Sequence, residues 1–140
     1  MKKIFLSIFF IFLFSNVSMG ANFKWTFVGK TGDSTSNWYY EKKSVFKVGD
    51  YRYYWILSDY LKDVTDGISS VIGYHMVNCN TNESKWITYT GYNLPMGKGR
   101  VVSDYVIPEI SKEHFEWRYF SPKNTVYGSL LNKVCRERVD

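Results

Sequence analysis

The side chains able to do chemistry in this sequence are few and poorly placed for it. His75 and His114 are the only imidazoles, and Cys79 and Cys135 the only thiols. Neither cysteine belongs to a CxxC pair, and two thiolates fall short of the four ligands that a structural zinc takes. HExxH is absent, and no carboxylate stands at metal-ligand spacing from either histidine. His75 shares a strand face with Gly73, Val77 and Cys79, which predicts a half-buried strand residue rather than a base or a ligand. His114 alternates with Phe115 and is expected to face solvent. The stretch from Gly91 to Lys98 brushes against a phosphate-binding loop. It has one residue too many between its glycines, and Gly99 stands where Ser or Thr should follow, so a β-hairpin loop is the better reading. No GxSxG nucleophile motif occurs. Asp63 and Asp66 fall in a polar stretch and read as solvated charge. Paired carboxylates can meet in space from distant positions, but nothing in the sequence recommends such a pair. No catalytic residue, metal or cofactor is assigned, and the chain is read as non-enzymatic.

The elements that would position these residues are mostly strands. Phe23, Trp25 and Phe27 alternate with Lys24, Thr26 and Val28. From Tyr51 to Tyr60, Tyr51, Tyr53, Trp55 and Leu57 fall on one face, with Arg52, Tyr54, Ile56 and Ser58 on the other. Bulk on both faces predicts a central strand. Leu61–Gly67 is expected as a loop. Ser69–Cys79 and Lys85–Thr90 read as two further strands across a polar turn at Asn80–Glu83, and Asn93–Arg100 as a loop. Phe115, Trp117 and Tyr119 alternate as a strand. The period then changes: Tyr127, Leu130, Leu131, Val134 and Cys135 follow helical spacing, with Ser121 as the expected N-cap and Pro122 at the first helical position. Cys135 lies on the apolar stripe, so it faces the sheet, where Cys79 can meet it. The fold class is therefore α+β: a single domain with a multi-stranded antiparallel sheet and a C-terminal helix tethered to one face by a Cys79–Cys135 disulfide.

The beginning of the chain bears on where that disulfide forms. Lys2 and Lys3 precede an apolar run from Ile4 to Phe14, and Ser18, Gly20 and Ala21 supply small residues. This is the three-part pattern of a secretory signal, about half as long as a membrane span needs. Residues 1–21 are expected to be removed, leaving 22–140 as one domain exported to the periplasm or the cell surface, with no transmembrane segment. No cysteine stands near residue 21, so no lipoprotein is expected. Export also favours the disulfide, because the outer compartments are oxidising. Loss of Lys2 and Lys3 leaves 16 basic against 13 acidic residues, a net charge of +3. That is too mild for a nucleic-acid footprint. All five Trp and 12 Tyr lie beyond residue 22, and such residues serve both thin cores and interfaces.

The order of landmarks resembles the surface-adhesin protein E-like domain family. It begins with Trp25-Thr26-Phe27-Val28, continues through Tyr39-Tyr40-Glu41, Ser44-Val45, Gly49 and the strand Trp55-Ile56-Leu57-Ser58-Asp59-Tyr60, and passes Ser69-Ser70 to Cys79. It closes with Trp117-Arg118-Tyr119-Phe120-Ser121-Pro122 and Leu130-Leu131-Asn132-Lys133-Val134-Cys135, the most specific part. The resemblance implies a sheet with a C-terminal helix tethered to its concave face. It also implies adhesion: binding of host extracellular-matrix and serum proteins at the bacterial surface, with haem binding ascribed to the family as well. Members of this type are typically lipoproteins, and the lipidated cysteine is missing here. The expected function is an exported, adhesin-like module contacting a protein partner, with Lys98 and Arg100 as candidate contacts. The alternative is a soluble periplasmic stress-linked or inhibitor protein with no adhesive role. If haem were bound, His75, His114 or a tyrosine would have to supply the ligand.

Overall fold

The computed structural model describes residues 22–64, 67–106, 116–121, 123 and 125–139. Its strands are β1 (Trp25–Lys30), β2 (Ser36–Glu41), β3 (Phe46–Val48), β4 (Tyr51–Val64), β5 (Ile68–Asn78), β6 (Glu83–Leu94), β7 (Lys98–Val106) and β8 (Arg118–Tyr119), followed by helix α1 (Val126–Arg136). All eight strands form one antiparallel sheet in the order β1-β2-β4-β5-β6-β7, with β3 added to β4 and β8 to β6.

Period-two patterning divides the side chains between the two faces. On β4, Tyr54 and Ile56 join Tyr40, Val45 and Val77 in a core closed by Tyr127, Leu130, Leu131 and Val134 of α1. Leu57 points the other way and forms a second buried cluster with Ile72 and Tyr92, covered by Phe23, Trp25, Tyr39, Trp55 and Met96. The central position expected for β4 is therefore correct, and both its faces are buried for different reasons.

Both ends of α1 are fixed. Thr125 caps it: its hydroxyl accepts from the Gly128 amide at 2.9 Å and donates to the Ser121 carbonyl at 3.2 Å. At the other end, Arg52 donates to the carbonyls of Val134 (2.9 Å) and Glu137 (2.6 Å), and Tyr40 donates to the Glu137 carboxylate. The Arg52 bonds meet carbonyls that a helix end leaves without partners. The Cys79–Cys135 disulfide adds a covalent tie, with Cα atoms 5.7 Å apart.

Four boundaries differ from the sequence reading. The helix cap is Thr125, not Ser121, because Thr125 reaches the amide three residues on, and the helix begins at Val126. β4 continues through Leu61 to Val64 where a loop was expected; the Leu61 amide bonds to the Thr35 carbonyl and carries the pairing past the polar sequence. The expected Asn93–Arg100 loop shrinks to one 3-10 turn at Pro95–Gly97 between β6 and β7. Side chains make that turn tight: Asp59 accepts from the Met96 amide (2.7 Å), Ser70 from Gly97 (2.9 Å) and Asn93 from Arg100 (2.8 Å). The expected strand around Phe115–Tyr119 is represented by β8 alone, and His114, Phe115 and Pro122 lie outside the described residues.

The disulfide closes a separation of 56 residues, which corresponds to about 4 kcal/mol of lost chain entropy in the unfolded state. Replacing both cysteines by alanine should lower unfolding stability by up to about 4 kcal/mol, measured by urea titration against the oxidised protein.

Candidate functional site

The face that carries α1 is wider than the helix, and what the helix leaves bare is aromatic. Trp38 of β2 and Trp86 of β6 project onto this face on either side of β4 and β5. In register with Trp38 come Ser58 and then Val71, two modest side chains that leave the floor between the indoles low. The neighbouring row passes from Ile56 to Gly73. Trp86 lies over Gly73: a Cβ there would collide with its six-membered ring and stand 3.0 Å from the Thr88 carbonyl. Glycine is what lets the indole lie flat across β5.

Two adjoining hollows result, sharing Trp38 and Trp86. The larger, about 640 Å³, extends from these indoles past Lys30, Arg118 and Phe120 to Thr125 and Tyr127 at the start of α1. The smaller, about 210 Å³, is lined by Ser58, Tyr60, Val71 and Tyr89 as well as the two indoles. Volumes of this order suit a small ligand or one anchoring group of a larger one.

Beneath the groove lies a buried polar chain. The Tyr127 hydroxyl is 2.7 Å from His75 Nδ1 and 3.0 Å from Ser84 Oγ. His75 is fully buried, and its ring meets that of Trp86 edge-on, with centroids 3.8 Å apart. Its Nε2 has no hydrogen-bond partner and lies among rings, where an N–H suits an aromatic face better than a lone pair does. Nδ1 is then the acceptor: Tyr127 donates to His75, and Ser84 donates to Tyr127. Desolvation lowers the His75 pKa to about 3 and raises that of the Tyr127 phenol. Both groups are neutral at physiological pH, and the chain serves to seat α1.

His75 thus shares the predicted face with Val77 but is completely rather than half buried, because α1 and Trp86 cover it. With its Nδ1 engaged and its ring enclosed, it cannot reach a haem iron in this arrangement. His114 lies outside the described residues, as does Asp66. The Gly91–Lys98 stretch is a β-hairpin turn whose Met96 and Gly97 amides are already bonded to Asp59 and Ser70, so it offers no phosphate cradle there. Lys98 and Arg100 are exposed at the start of β7, and neither lines the groove. Among the described residues no group of three His, Cys, Asp or Glu could hold a metal ion, and no helix is long and apolar enough to cross a membrane. The groove itself was not located by sequence reasoning. The usable signal was Gly73 in the middle of a strand, with Trp86 in the strand that follows.

One helix bolted across a single antiparallel sheet, beside an open aromatic groove, defines a class of small disulfide-stapled α+β modules. The family described as Surface-adhesin protein E matches residues 25–136, and the chain belongs to that family. Three solved structures of Haemophilus influenzae protein E share the fold. Its crystal form II is 14% identical, with a TM-score of 0.54 over 76% of this chain and 85% of that one. The selenomethionine form is 13% identical, with a TM-score of 0.55 over 78% and 84%. Protein E from a non-typeable strain is 16% identical, with a TM-score of 0.51 over 81% of each chain. No curated protein matches the sequence.

Two measurements check this geometry. Gly73→Ala should lift Trp86 off β5, shift tryptophan emission and cost about 1 to 3 kcal/mol by overpacking. His75 should show no imidazole titration by NMR between pH 8 and 4.5. Because its folded pKa, about 3, lies below the unfolded value of 6.5, its contribution to stability is intact above pH 6.5 and is lost as pH falls toward 3. The loss should be about 1.4 kcal/mol per pH unit in that window, read from urea midpoints compared with His75→Gln.

Proposed function

We propose that this chain is an exported, non-enzymatic binding module of the adhesin kind, contacting a protein partner at the bacterial envelope or surface. Residues 1–21 act as the export signal and residues 22–140 as the mature domain, without lipidation because no cysteine stands at the cleavage site. A host extracellular-matrix protein is the partner class that fits the family. The observation that carries this reading is the outer margin of the sheet. Among the described residues β7 ends the strand order, and Lys98 and Arg100 stand exposed on it. Leu94, 49% exposed, pairs with Lys98 in register, and Val101, 51% exposed, follows Arg100. An edge strand offers main-chain groups to an added strand, while apolar anchors beside cations give affinity and orientation. Mildly basic charge adds attraction to acidic partners.

Two experiments test the reading. Protease treatment of intact cells should remove the domain; protection until lysis would instead assign it to the periplasm, where a stress-linked or inhibitor role takes over. Lys98→Glu with Arg100→Glu should weaken binding to immobilised matrix proteins by about tenfold without lowering the melting temperature. Unchanged binding would remove this margin as the contact.

A further inference from the structure

We propose that the groove between Trp38 and Trp86 is a second, separate site, which takes a saccharide bearing an anionic group. Three features of the groove select this class. Its walls are indoles. The faces of such rings carry partial negative charge and attract the polarised C–H face of a pyranose, while the polar rim of the sugar stays free. Its floor is made by β4 and β5, which are interior strands paired on both sides. A peptide laid in the groove therefore finds no ladder there for its backbone, whereas a sugar needs only scattered hydroxyl and cationic partners. Its rim is positive on balance: Lys30 and Arg118 line the larger hollow against one carboxylate, Glu116. A carboxylate or sulfate on the sugar would meet Arg118 and Lys30, with guanidinium suited to two-point contact.

The site is built in advance. Trp86 is held flat by the absence of a side chain at Gly73, and Trp38 is turned by its indole N–H, which donates to Ser36 Oγ at 3.0 Å, and by its edge contact with Tyr127. Little rotamer entropy remains to be lost when a ring enters, which favours measurable affinity for a small ligand.

The test uses the purified, disulfide-bonded protein and three tetrasaccharides of equal length: one containing glucuronate, one sulfated and one neutral, built of N-acetylglucosamine. Tryptophan fluorescence and saturation-transfer NMR report binding. At least one anionic sugar should bind about tenfold more tightly than the neutral one, and the better of the two identifies carboxylate or sulfate as the recognised group. Lys30→Glu with Arg118→Glu should bring the anionic sugar down to the level of the neutral one with the melting temperature unchanged. Trp38→Ala should abolish both, and Trp38→Phe should restore part of the binding. Equal binding of charged and neutral sugars, no response up to about 10 mM, or full affinity in the double variant would overturn the proposal. So would tighter binding of an acidic, tryptophan-containing peptide, which would make the groove a protein site. Lys98→Glu with Arg100→Glu should leave sugar binding intact, so the groove and the β7 margin can fail independently.

Discussion

An eleven-residue helix cannot cover the face of this sheet, and the rest of the structure follows from that mismatch. At 1.5 Å per residue α1 is about 17 Å long. The six strands of the main path span about 24 Å between outer strands, and the longest are considerably longer than the helix is wide. Among the described residues α1 also has no second helix beside it to stop it rolling or sliding. The fold compensates by fixing it at both ends with different chemistry. The C-terminal end is held by the disulfide and by Arg52 and Tyr40, the N-terminal end by Tyr127 in its polar chain with His75 and Ser84. Directional bonds fix the register of a helix in a way that interchangeable aliphatic contacts do not.

The same mismatch decides how the aromatic residues are used. On the opposite face no second layer among the described residues buries Leu57, Ile72 and Tyr92. Flat side chains cover them instead. Phe23 meets Trp25 and Trp55, Trp55 meets Tyr74, Tyr74 meets Tyr53, and Tyr53 stacks on Phe46. Each ring covers its neighbour and the strand below, and phenol and indole tolerate the water on their outer side. On the helix face, Trp38 and Trp86 do the opposite. They border a groove that no described side chain fills.

The arrangement of layers was legible in the sequence because two periods and two cysteines point to it. The alternation along Tyr51–Tyr60 assigns faces that the structure keeps, and the stripe Tyr127, Leu130, Leu131, Val134 is the buried side of α1. Boundaries were less legible, for a physical reason. Asn93 reads as loop chemistry, and Asp59 and Ser70 read only as strand residues, yet the three side chains tie a tight turn and so extend the strands on either side of it. The cap differs because the Thr125 hydroxyl, and not that of Ser121, reaches the Gly128 amide. His75 carried the right face but the wrong depth, since its burial depends on a tryptophan eleven residues away that happens to lie down over a glycine.

That glycine also explains why the groove escaped notice. A binding surface of this kind has no motif: its elements are absences at Gly73 and low side chains at Ser58 and Val71, set between two indoles that come together only through strand register. Packing alone would favour closing the space, because filling a hollow between aromatic walls gains contact and loses no hydrogen bond. A longer residue at Ser58 would do so at once. The sequence instead places a serine there, keeps glycine under Trp86 and spends Tyr127 and His75 on seating a helix that stops short of the groove. Buried polar chains stabilise less than apolar packing of the same volume, and they hold position better. The combination is that of a surface kept open and rigid, which stability by itself would not select.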